Sequence, residues 1–209
     1  MTGNRRLGVL LGKVTDLATG DNAEYWVDRF EHTINGVLPY PAVGSRVSGV
    51  VWKTIVVGTY PASSLIAAVK LVGNYYGQIE VPSFQEALAI DKNPEMVDLV
   101  KLSVADLGFS KGASYRMICA RIKREAGFRF CLAKDAIYTR VVYLDQPQHE
   151  VLHFVMERPI HDSRDSGSDR VILIVSRSQH NLSLWFRVAN GDTYYGPDDI
   201  LVLRFPREK

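Results

Sequence analysis

Five consecutive residues, His149-Glu150-Val151-Leu152-His153, spell H-E-x-x-H, the one run in this chain that reads directly as a catalytic motif. On a helix, histidines at i and i+4 share a face and can bind one Zn²⁺, while the glutamate between them takes a proton from the metal-bound water. That chemistry belongs to a zinc metallohydrolase or peptidase, with His149 and His153 as ligands and Glu150 as general base. On a strand the same histidines also share a face but stand roughly 13 Å apart, too far to hold one ion.

A third ligand is the next requirement. The extended pattern H-E-x-x-H-x-x-G-x-x-H needs glycine where Met156 stands and histidine where Pro159 stands. His161 comes later, beyond a proline that ends a helix. A glutamate from a following helix is the other common solution, but Glu208 is the only glutamate after Pro159. Asp162, Asp165 and Asp169 remain as unusual candidates.

The elements that must position these residues are set by composition and pattern. With 209 residues, 46% of them hydrophobic and 23% charged, the chain suits one globular domain with a substantial core. We divide it into an N-terminal helical extension, residues 1–46, and a single α+β domain, residues 47–209. A net charge of +2 gives no bulk attraction to nucleic acid. Cys119 and Cys131 lack C-x-x-C spacing and read as buried or free thiols. Leu7–Gly12 after Arg5-Arg6 mimics a signal peptide until Lys13 and Asp16 interrupt it, and no run approaches a membrane span. A cytoplasmic protein without a membrane partner is the expectation.

Helix signals come early. Asp21 with Glu24 forms a capping-box pair before the stripe Trp26, Val27, Phe30 and Ile34, Ser63–Leu71 suits a buried helix, and Ser83 with Glu86 begins another. Val47–Val57 and Val97–Val104 are β-rich. The strongest helix is Ser114–Ala126, with Tyr115, Ile118, Cys119 and Ile122 on one face. Strands follow: Phe128–Cys131, Tyr138–Leu144, Val171–Val175, Leu182–Val188 and Ile200–Phe205. The pattern predicts an α+β fold with helices mainly in the N-terminal half, packed on a largely antiparallel sheet formed mainly by the C-terminal half. Asp162–Asp169 reads as a hairpin loop, since Arg164 stands where a calcium loop needs a ligand.

At the motif, Asp145 as N-cap with Pro147 in the first turn permits a helix ended by Pro159. The β-compatible runs Tyr138–Leu144 and Val151–Met156 favour a hairpin instead, with Leu152, Phe154 and Met156 toward the core.

Several islands resemble a family of small bacterial proteins with no established activity. They are Trp52–Thr59, Val97–Val100 with Ser103–Phe109, Gly127–Cys131, and Arg140–Pro147 continuing through Glu150, Leu152 and Met156 to Pro159-Ile160. The resemblance covers Trp52 to Phe205. It implies a glutamate at the position of Glu150 but no histidine at His149, and so an accidental H-E-x-x-H. It also implies Pro-Ala-Glu-Val-Gly-Pro after Cys131, where this chain has Leu132-Ala133-Lys134-Asp135-Ala136-Ile137. Lys134 cannot do the work of that glutamate.

Three functions follow. The favoured one is a non-catalytic binding or protein-interaction domain, without a cofactor, whose site gathers Trp52, Arg140, Tyr143, Gln146 and Glu150. An ion pair between Arg140 and Glu150 across the hairpin is a structural alternative for those two. Zinc hydrolysis through His149 and His153 is the second. The third is weak RNA binding by Arg116, Arg121, Lys123, Arg124, Arg129 and Lys134, a set whose spacing equally suits a solvated outer face.

Overall fold

The β-rich segments form one large sheet whose alternation of buried and exposed residues decides where the helices lie. The computed structural model describes residues 49–75, 93–125, 127–157, 160–161, 170–179 and 181–206, all within the unit Gly44–Lys209. The extension over residues 1–46, the helix after Ser83 and the acidic run Asp162–Asp169 lie outside the described residues.

In chain order the elements are β1 (Val51–Val57), α1 (Ala62–Val72), β2 (Asn74–Tyr75), β3 (Glu95–Ser103), β4 (Ala113–Ser114), α2 (Tyr115–Arg124), α3 (Ala133–Val142) and β5 (Val151–Phe154). There follow β6 (Ile160–His161), β7 (Arg170–Arg177), β8 (Leu182–Val188), β9 (Tyr194–Tyr195) and β10 (Ile200–Phe205). Eight strands form the large sheet in the order β1-β3-β10-β5-β7-β8-β2, with β6 also on β7, while β4 and β9 pair separately. The pairs β10–β5 and β2–β8 are parallel and the rest antiparallel. The chain is therefore α+β with a mainly antiparallel sheet.

Register assigns side chains to faces. Lys101 is opposite Val202, and Val202 is opposite Phe154, so these three share one face. His153 is opposite Ile174, and Ile174 is opposite Trp185, on the other. The first face carries α3, which packs on β1, β7, β8 and β5 and against α1. α1 turns Leu65 and Val69, one helical turn apart, into the core. On the second face the Tyr115 ring of α2 meets Tyr195, which meets His153.

The Ser114 signal holds: its hydroxyl caps α2 by accepting from the Met117 N–H. Tyr115, Ile118 and Ile122 are buried as the stripe predicts, with Cys119 half-buried. In β8 strict alternation of buried and exposed residues is blurred, since Leu184 is buried but so is Ser183, and Val188 is exposed.

The main correction lies at Tyr138–Leu144, expected as a strand and found as α3 and its C-cap. Every residue from Ala133 to Arg140 is buried, so the helix has no polar face and no 3.6-residue period to betray it. Polar anchors hold it against the β propensity of its Val and Thr residues. At its start Asp135 accepts from the Leu132 N–H at 2.7 Å and takes both Nε and Nη2 of Arg204, each at 2.7 Å. The predicted strand Phe128–Cys131 makes a single bridge, Arg129 to Arg204. Lys134 is buried and pairs with Glu95 at 3.5 Å. Of the described helices, α1 lies in the first half of the chain and α2 and α3 in the second.

Candidate functional site

Between α3 and β5 the chain wraps around one buried guanidinium. Arg140 donates through Nη1 to Gln146 Oε1 at 2.6 Å and to the Ser176 carbonyl at 3.3 Å, and through Nη2 to the Tyr143 carbonyl. Gln146 donates in turn to the carbonyls of Glu150 and Val175, both at 3.2 Å, and its own carbonyl accepts from Arg177 at 2.6 Å. Neither Arg140 nor Gln146 is exposed. Burial brings the Arg140 guanidinium down to about 10, which leaves it a cation at neutral pH. Oxygens of the loop and of β7 take up Nη1 and Nη2, Nε is buried without a partner, and the ion pair with Glu150 does not form.

That framework fixes where Tyr143 and Glu150 project, and they meet residues of β1 and β3. Lys101 Nζ lies 2.5 Å from Glu150 Oε1, donates to Tyr143 Oη at 3.3 Å and sits 3.8 Å from the Trp52 ring centroid. The Trp52 and Tyr143 rings meet edge to face at 5.0 Å. Lys53 places its ammonium 4.7 Å from the Tyr143 centroid. Neighbouring residues of a strand normally point to opposite faces; a register shift between Val51 and Lys53 lets Trp52 and Lys53 both reach Tyr143. Burial, and then the Glu150 carboxylate, push the Tyr143 hydroxyl up to about 12. Glu150 Oε2 is buried and has no hydrogen-bond partner.

All five residues picked from the sequence thus meet in one cluster, with two different jobs. Arg140 and Gln146 build the loop, while the half-buried Trp52 and Glu150 flank the buried Tyr143. Sequence reasoning missed Lys101 and Lys53. The signal for Lys101 was its position two residues from Leu99, which is fully buried and on the same face of β3.

The H-E-x-x-H run is not helical. His149 sits in a turn with φ 64°, outside the helical region, and its N–H donates to the Arg177 carbonyl at 2.8 Å. His153 lies in β5 and is buried, whereas His149 is exposed. The condition for a shared metal, two imidazoles one helical turn apart, is not met. Among the described residues no group of three or more His, Cys, Asp or Glu could hold a metal ion. Asp162, Asp165 and Asp169 lie outside the described residues.

On the opposite face His153 belongs to a second cluster. Its Nε2 is 3.7 Å from Asp199 Oδ1 and 3.4 Å from Arg187 Nη1. Its ring meets Tyr195 edge to face at 5.4 Å, and the Arg187 guanidinium lies 4.3 Å from the Tyr195 centroid. Burial pulls the imidazole below its ordinary 6.5, against the pull of Asp199, while His153 beside it holds the Asp199 carboxyl below the usual carboxylate range. His153 Nδ1 and Tyr195 Oη are buried without hydrogen-bond partners.

The basic residues around α2 do not make one open patch. Arg121 is buried, pairing with Glu125 at 2.8 Å and donating to the Leu107 carbonyl. Arg116 pairs with Asp192 at 3.3 Å, Lys123 with Glu157 at 3.3 Å, and Lys134 is buried on the other side of the sheet. Arg121 and Lys134 therefore belong neither to a phosphate-binding surface nor to a solvated helix face.

No protein-family model, curated protein or solved structure matches the chain. Among the described residues no helix is long and apolar enough to cross a membrane.

Proposed function

We propose that the chain is a non-catalytic binding domain that docks an acidic segment of a protein partner at Trp52, Lys53, Lys101, Tyr143 and Glu150. The observation that carries this reading is the charge balance on the aromatic pair. Two ammonium groups, Lys53 and Lys101, approach the Tyr143 ring, and only Lys101 has a carboxylate, Glu150, beside it. Among the described residues Lys53 has no ion-pair partner, which leaves one positive charge beside a half-exposed Trp52. A half-buried tryptophan next to an uncompensated cation is the composition of an interface anchor that attracts an acid.

Titration of the protein with a panel of acidic peptides, followed by tryptophan fluorescence, tests this. Binding is expected to weaken by about tenfold in Trp52→Ala and in Lys53→Glu, and to fall as salt is added. If no acidic peptide binds, or if both variants bind as tightly as the wild type while folded, the proposal fails.

A further inference from the structure

The site lies at the edge of the sheet formed by the described residues. β1 stands at one end of the strand order, and among the described residues it pairs only with β3. Its other side presents a row of backbone N–H and C=O groups over a seven-residue strand. The side chains of β1 differ by face. Ile55 and Val57 are buried beneath the helices, while Thr54 and Val56 are exposed, and Val56 is opposite Met96, also an exposed apolar residue. Val56 and Met96 are 47% and 52% exposed, so the sheet has an exposed apolar margin on the face away from Lys53.

We infer that the partner segment binds by adding a strand to β1, with an acidic side chain facing Lys53 and an apolar side chain covering Val56 and Met96. This rests on the binding function proposed above and specifies the shape of its partner. Lys53 and Val56 are three residues apart and so point to opposite faces of the sheet. Residues of an added strand that lie across from them must also be three apart, which predicts an acidic and an apolar residue three apart in an extended segment, the acidic one first in a strand parallel to β1 and last in an antiparallel one. Backbone pairing supplies affinity, and the two side chains set register. The bulge at Trp52 limits how far the added strand can extend in regular register, since β1 is regular only from Lys53 to Val57.

The test uses the full chain and short synthetic peptides carrying Glu and Val three residues apart. A peptide with Lys in place of Glu is expected to bind about tenfold more weakly, as is the original peptide to Val56→Lys protein. Methylating the peptide backbone nitrogens one at a time is expected to cut binding at alternate positions only, because only every second N–H of an edge strand faces its neighbour. A flat methylation scan with binding still lost in Lys53→Glu would overturn strand addition and leave the binding function standing. Failure of every acidic peptide to bind would remove both. A dimer of the protein that Val56→Lys dissociates would give the edge to a second copy and overturn the assignment.

Discussion

Glu150 and His153, three residues apart, are drawn to opposite faces of the sheet, and the two faces treat them differently. On the helix-bearing face the Glu150 side chain keeps 17% of its exposure and has an ammonium at 2.5 Å. On the other, the His153 side chain keeps 2%, with Asp199 farther away at 3.7 Å and Arg187 competing for the same nitrogen. The first environment sets a counter-charge at contact distance with water near. The second disfavours the imidazolium, because desolvation outweighs an ion pair stretched past hydrogen-bond length. A five-residue string with the letters of a zinc site is thereby divided between a half-open ionic cluster and a closed aromatic one.

The largest effect should come from removing the support of the first face. Arg140→Ala leaves the oxygens of Gln146, Ser176 and Tyr143 short of a buried donor and should cost about 3–5 kcal/mol in urea unfolding. The same variant should release Tyr143 and Glu150 together, which a loss of Trp52 fluorescence anisotropy would reveal.

The second face is tested by pH. His153 has a folded value below its unfolded one, so the folded state binds fewer protons than the unfolded chain as pH falls past about 6.5. Its contribution to stability is complete above 6.5 and is lost as pH falls through the lowered folded value. Urea midpoints should therefore drop on acidification below that pH, and His153→Leu should flatten the drop. An unchanged slope in His153→Leu would mean that the closed cluster does not disfavour the imidazolium.

A smaller effect should separate charge from shape on the first face. Glu150→Gln removes the carboxylate that helps hold Tyr143 near 12, so spectrophotometric titration should place that hydroxyl lower. Its stability cost should be about 1 kcal/mol or less, because both members of the Lys101–Glu150 pair keep some solvent. The smallest effect should follow His149→Gly. A residue at φ 64° is relieved by glycine, and melting should rise slightly or stay level.

How far these clusters were legible in the sequence depends on period. Ile200–Phe205 is a strand over the predicted bounds, and Ser114 begins a helix, because each carries a local signal: an apolar run bounded by turns, and a hydroxyl at an N-cap. α3 carried none. It is enclosed nearly all round, so burial erased the periodicity, and Thr139, Val141 and Val142 pointed to a strand. The same misassignment made Arg140 and Glu150 look like partners across a hairpin, whereas a helix places Arg140 behind the loop as its support. Lys101 and Lys53 were missed for another reason. Their partners are about fifty and ninety residues away in sequence, and only the register of β1 on β3, with its bulge at Trp52, brings them to Tyr143.

β10 lies in the middle of the large sheet, between β3 and β5, although it comes last among the described strands. During synthesis, β3 and β5 must each wait with a bare edge until Phe205 has cleared the ribosome, and then receive a strand whose partner in β3 is about a hundred residues behind it. Folding of the sheet is therefore coupled to the arrival of β10. Ile200–Phe205 closes the sheet, and a chain stopped before it would display two sticky, apolar strand edges, which makes such truncations prone to aggregation.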